Sequence, residues 1–150
     1  MSLVKELGEG LSGLEQLRAL IAAGRQPSIG QTLDFALVSI EPGLAVFEGA
    51  PDQRVYNPIG SVHGGYAATL LDSACGCAVH SSLEAGYGYT TLELKVAYHK
   101  AMTAKTGTVR AEGRVLSIGR RVAFAEARLT DAAGRLLASA TSTLLVIAPD

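Results

Sequence analysis

Apolar and polar positions change their rhythm along the chain, and each change marks an element. Residues 12–23 read SGLEQLRALIAA, with Leu14, Leu17, Leu20 and Ile21 at helical spacing. This predicts an amphipathic lead-in helix, started by Ser12 as a cap and ended by Gly24. Residues 25–32, with Pro27 and Gly30, read as a loop. The run FALVSIEPGLAVFEGAP predicts two short strands around a Pro42-Gly43 turn, and polar 52–62 predicts a loop. From Gly64 to about Ser82 nearly every position is Ala, Leu, Cys, Ser or another small or apolar residue. A helix that is apolar all round is buried all round.

After Gly86 and Gly88 the period becomes two. In 90–98, TTLELKVAY, alternation sets Leu92, Leu94, Val96 and Tyr98 on one face and Thr91, Glu93 and Lys95 on the other. Further strands are expected over 106–117, 121–130 and 135–147, with turns at 118–120 and 131–134. Short connections imply antiparallel neighbours. The fold class that satisfies this order is α+β: one long helix enclosed by a curved antiparallel sheet. Two segments are expected, a helical lead-in over 1–29 and a single domain over 30–150.

Composition narrows the function. Apolar residues make up 48% of the 150, which is high for a monomer and points to surface closed against a partner subunit. The formal charge of -1 and the absence of Trp argue against a nucleic-acid partner. The apolar stretch 66–83 carries Asp72 and His80, so it reads as a core helix, not a membrane span. No basic segment followed by an apolar one opens the chain, so no signal peptide is expected. Cys75 and Cys77 stand too close together for a relaxed disulfide, and a reducing, cytoplasmic location is the simple expectation.

The candidate chemistry clusters around the long helix. His63-Gly64-Gly65 falls at its start, where unpaired N–H groups and the helix dipole suit a developing oxyanion. Two glycines also serve a tight turn. Asp72 sits eight positions after Gly64 in an apolar setting, a candidate general base or nucleophile; the alternative is a buried hydrogen-bonded carboxylate. Asn57 offers an amide to a carbonyl or a water, although Asn before Pro is ordinary turn chemistry. Thr90 and Thr91 are hydroxyls at a strand start. Lys100, Lys105, Arg120 and Arg121 are candidates for the phosphates of a nucleotide-bearing substrate, or simply solvated turn residues. His63, His80 and His99 lack metal-ligand spacing, so no metal is expected.

The stretch N57-P-I-G-S-V-H-G-G-Y-A-A-T-L-L-D72 resembles the active-site segment of hotdog-fold acyl-CoA thioesterases. It is most similar to the phenylacetate-pathway (PaaI-like) type and the related mammalian enzyme. The resemblance extends through T91-L-E-L-K-V-A-Y98, the I-G-R-R turn and the last hairpin, over roughly residues 30–147. It implies a hotdog fold, hydrolysis of an aryl-, short- or medium-chain acyl-CoA, and no cofactor, coenzyme A being part of the substrate. It implies a homodimer with shared sites, commonly paired again into a homotetramer. Asn57, His63 and Gly64 would come from one subunit, and Asp72 and Thr91 from its neighbour. Gly64 N–H would polarise the carbonyl, Asn57 orient carbonyl or water, and His63 hold the loop. Asp72 would activate water or attack directly, and Thr91 would position the water or Asp72. Thr91 stands where relatives often have Ser, with one residue of extra spacing, so Thr90 is its understudy. Gly65, Thr90, Arg120 and Arg121 are further substrate-binding candidates.

Two other readings compete. A dehydratase or hydratase acting on acyl thioesters would use a histidine base, but His63 leads directly into Gly-Gly. The other is a non-catalytic acyl-CoA sensor or binding module; a sensor would need an effector segment, and no helix-turn-helix or basic region precedes residue 30.

Overall fold

The structure, a computed structural model, describes residues 2–149. Helices α1 (Leu3–Gly8) and α2 (Gly13–Ala22) lead in. Ser12 starts α2 with a capping box, its Oγ accepting from Glu15 N–H while the Glu15 carboxylate accepts from Ser12 N–H. The expected loop at 25–32 is corrected: α3 (Ser28–Leu33) follows Pro27 and ends at Asp34, whose φ of 57° is left-handed. A helix of six residues is too short to reveal a period in sequence.

Strands β1 (Phe35–Glu41) and β2 (Leu44–Gly49) form the first hairpin, and α4 (Gly64–His80) is the long helix. Strands β3 (Gly88–Tyr98), β4 (Val109–Ile118), β5 (Val122–Asp131) and β6 (Leu136–Ile147) follow. All pair antiparallel in one sheet of order β1-β2-β4-β5-β6-β3. The inference from short connections holds for β4 through β6 but not for β3. The connector 99–108 carries the chain across the sheet, leaving β3 at the far edge beside β6.

The sheet wraps α4 closely because its inner face is lined by small side chains. Ala111, Ala123, Ala125, Ala127, Ala138 and Ala140 are all buried there. Leu70, Leu71, Ala74, Cys75, Ala78 and Val79 of α4 have no exposed surface. Closest approach is at Gly113, where an added Cβ would lie 2.2 Å from the Ala74 carbonyl oxygen. At the other end of α4, Gly13 of α2 packs on the His80 backbone, and Gln16 joins His80 Nε2 at 2.9 Å.

One correction bears on the site. Pairing along β3 and β6 skips Leu92, between Thr91↔Leu144 and Glu93↔Thr143. This bulge turns Leu92 out to solvent (57% exposed). Thr91 therefore shares the inner face with Leu94 and Val96, instead of the outer face that strict alternation predicts.

Candidate active site

The start of α4 is defined by where its backbone N–H groups go. Val62 N–H donates to Met102 O, His63 N–H to Val55 O, and Tyr66 N–H to His63 O. Gly65 N–H donates to the Nδ1 of His63 at 2.8 Å. Gly64 N–H alone in this run makes no hydrogen bond among the described residues. It is an unpaired donor at the positive end of a 17-residue helix.

His63 is thus the N-cap of α4, with its ring nitrogen spent as an acceptor. Gly65 lets the His63 ring close onto its N–H, since an added Cβ would lie 2.9 Å from Nδ1, and it is not a free donor. Tyr98, at the end of β3, donates its hydroxyl to Gly64 O at 2.7 Å. Gly64 and Tyr98 line one cleft of about 460 Å³ with Val62, Ala67, Lys100 and Met102. A second cleft of about 340 Å³ lies on the other side of His63, against Tyr56, Tyr66 and Thr69.

Asn57 organises the loop that delivers His63. Its Oδ1 accepts from Ile59 N–H and Ser61 N–H, both at 3.1 Å, and its Nδ2 donates to Ser61 Oγ at 3.0 Å. Among the described residues one N–H of the amide stays uncommitted.

Asp72 lies two turns further along α4, half-buried, facing β3. Thr91 Oγ1 donates to its Oδ1 at 2.9 Å, and Oδ2 has no partner among the described residues. Thr90, one residue earlier, points to the exposed face. Eight residues of helix separate Gly64 from Asp72, about 12 Å at the usual rise. The structure therefore pairs Asp72 with Thr91, and His63 with Gly64 and Gly65, as two half-sites of one chain.

The model of the Thioesterase superfamily matches residues 59–138, which span both half-sites. The chain belongs to this superfamily.

It is a thioester hydrolase. Over 116 residues it is 29% identical to 1,4-dihydroxy-2-naphthoyl-CoA hydrolase of Listeria monocytogenes, covering 77% of this chain and 93% of that one. It is 30% identical over 119 residues to proofreading thioesterase EntH of Klebsiella pneumoniae, covering 79% and 85%. The solved PaaI protein of the E. coli phenylacetic acid degradation operon superposes with a TM-score of 0.78 over 91% of this chain and 97% of that one. At 19% identity that likeness shows the hotdog fold alone.

Other side chains of the thioesterase fall outside the half-sites. Arg120 and Arg121 occupy the β4–β5 turn, where Arg121 O accepts from Val146 N–H. That turn is at the His80 end of the sheet, so within one chain these arginines are not brought to Gly64. Lys100 is: it lines the Gly64 cleft. Burial, reinforced by the charge of Asp72, pushes the Cys75 and Cys77 thiols up to about 12, so neither is an available nucleophile at neutral pH. Among the described residues no group of three or more His, Cys, Asp or Glu is arranged to hold a metal ion. Among the described residues no helix is long and apolar enough to cross a membrane.

Tyr98 is the site residue that sequence reading passed over. Alternation assigns it to the apolar face of its strand; its hydroxyl contact lies 34 residues away in sequence and has no local signature.

Proposed function

We propose that this thioesterase hydrolyses an aryl-, short- or medium-chain acyl-CoA at a site assembled from two chains. The observation that carries the reading is the lone unpaired N–H of Gly64, heading the same helix that carries Asp72. In this mechanism the thioester oxygen accepts from Gly64 N–H, aided by the helix dipole. Asp72 takes a proton from water as the water attacks the carbonyl carbon, or its free Oδ2 attacks directly to form a mixed anhydride that water then hydrolyses, restoring the carboxylate. The C–S bond breaks, and the departing thiolate takes up a proton. Thr91 orients Asp72, His63 holds the helix start, and Asn57 steadies the loop and directs its spare N–H toward carbonyl or water. The chemistry is complete with a donor, a carboxylate and water, and coenzyme A enters only as part of the substrate.

Reacting atoms must come within about 3–3.5 Å, and about 12 Å of helix lies between Gly64 and Asp72. One chain cannot place both on a single carbonyl. An edge-to-edge homodimer answers this. Strand β3 is an edge of the sheet; its Tyr98 touches Gly64 and its Thr91 touches Asp72. Two β3 strands paired antiparallel about an axis near Leu94 and Lys95 bring Tyr98 of one copy opposite Thr91 of the other. Gly64 of the first copy is thereby carried toward Asp72 of the second. Exposed Leu116 (55%) and Phe124 (47%) support further pairing into a homotetramer. Two free thiols, Cys75 and Cys77, support a reducing cytoplasmic location. Gly65, Thr90, Arg120 and Arg121 remain candidate contacts for the coenzyme A moiety, supplied by either copy.

The test is thiol release from a panel of acyl-CoA thioesters by wild type and Asp72→Asn. Release by wild type alone supports the reading and ranks the acyl groups. No release from any of them, with binding intact, favours the binding module; turnover of enoyl or 3-hydroxyacyl thioesters favours the dehydratase.

A further inference from the structure

The peptide that follows Gly64 is held at both poles by side chains. Its N–H, belonging to Gly65, donates to His63 Nδ1 at 2.8 Å. Its carbonyl, belonging to Gly64, accepts from the Tyr98 hydroxyl at 2.7 Å. The Tyr98 ring also covers Gly64, since a Cβ added there would lie 3.0 Å from the phenol. Two consecutive glycines give the backbone wide freedom, and this pair heads the helix where order matters most. The preceding peptides are pinned as well, through His63 N–H to Val55 O and His63 O to Tyr66 N–H. Among the described residues, Gly64 N–H is therefore an unpaired group set in a run of fixed peptides.

We propose that Tyr98 is a positioning residue of the thioesterase: by holding the Gly64 carbonyl it fixes the peptide on the far side of Gly64, so that the His63–Gly64 peptide, held through His63 O, cannot swing the Gly64 N–H about the Gly64 Cα. The inference rests on the reading of Gly64 N–H as the oxyanion donor. Preorganised donors act because they need no reorientation as charge develops. A donor on a Gly-Gly hinge loses that advantage when the hinge is free. Tyr98 is more than half exposed (57%), so its ring contributes little to the core, and among the described residues its side chain's one hydrogen bond is that of its hydroxyl to Gly64 O. The same strand carries Thr91, which holds Asp72. One edge strand thus sets the donor at one end and the carboxylate at the other.

Tyr98→Phe keeps the ring and removes the bond. Two readouts test it: hydrogen exchange of the 62–66 backbone amides, and steady-state hydrolysis of the best acyl-CoA. Gly65 N–H is expected to exchange about tenfold faster, and kcat to fall about tenfold with KM within twofold, on the scale of one hydrogen bond. Melting midpoint and oligomeric state stay at their wild-type values. Binding of a ketone analogue of the thioester weakens in step with kcat, while binding of a thioether analogue, which lacks the carbonyl, does not. Combined with His63→Asn, the loss is less than the product of the single losses, because both residues hold one peptide. Unchanged exchange in Tyr98→Phe overturns the clamp, whatever the activity. Faster exchange with unchanged kcat, or equal weakening of ketone and thioether, overturns the positioning role. Wild type that releases no thiol overturns the donor reading on which the role depends, and exchange still decides the clamp.

Discussion

The hydroxyl of Thr91 donates to Oδ1 of Asp72 at 2.9 Å, and it reaches the carboxylate because Leu92 bulges out of β3. Without the bulge, Thr91 would face solvent and Leu92 would face the helix. Thr91→Val keeps the shape and deletes the donor. Turnover is expected to fall roughly 10- to 100-fold, the range of a hydrogen bond to a charged group, about 1.5–3 kcal/mol. Thr91→Ser should retain most activity, and Thr90→Val should keep the wild-type kcat, any change falling on KM through its candidate coenzyme A contact. A large loss in Thr90→Val with little in Thr91→Val would reverse the assignment of the two threonines.

Shared sites make a prediction about mixtures. Gly64→Pro removes the unpaired N–H at a position where proline suits a helix start. His63 already has the extended ψ of 135° that a following proline requires. Gly64→Pro and Asp72→Asn are each expected to be inactive alone. Mixed after subunit exchange, they should regain activity, because a hybrid dimer holds one site with both groups intact. Mixtures that stay dead although hybrids form would mean that each chain works with its own groups.

Stability should depend on pH through His80. Burial lowers its pKa below the ordinary 6.5, against α2 and the Tyr89 ring. In the unfolded chain the imidazole protonates as pH falls through 6.5, while in the folded chain it stays neutral to lower pH. Protonation therefore favours the unfolded state. The His80 contribution is complete above pH 6.5 and is lost as pH drops toward the depressed folded value. Melting midpoints of wild type and His80→Asn, compared across this window, should converge as pH falls. A constant difference would show that His80 does not titrate on unfolding.

Gly113→Ala should destabilise the fold strongly. The added methyl carbon would lie 2.2 Å from Ala74 O and 2.8 Å from Cys75 N, both backbone atoms of α4. Helix and strand must separate to admit it, at a cost of about 1–3 kcal/mol or more. Chemical denaturation measures this; wild-type stability would mean that α4 has room to move off β4.

Much of the thioesterase was determined by its sequence alone. The all-apolar run from Gly64 required a buried helix, and the period-two runs after Gly88 required a sheet to bury it. The segment from Asn57 through His63 and Gly64 to Asp72 offered candidate residues through its resemblance to a family motif, because a local motif needs only local residues. Tertiary structure decided what depends on register and on distant partners. The position of β3 beside β6 follows from a crossover that no local pattern encodes. The bulge at Leu92, which chose Thr91 over Thr90, comes from fitting β3 to β6. Gly113 looks like a weak strand residue until α4 lies against it. Tyr98 looks like one more apolar position until its hydroxyl meets Gly64. Hydrophobic period reports which face is buried; it carries no information about which atom on another element that face will meet.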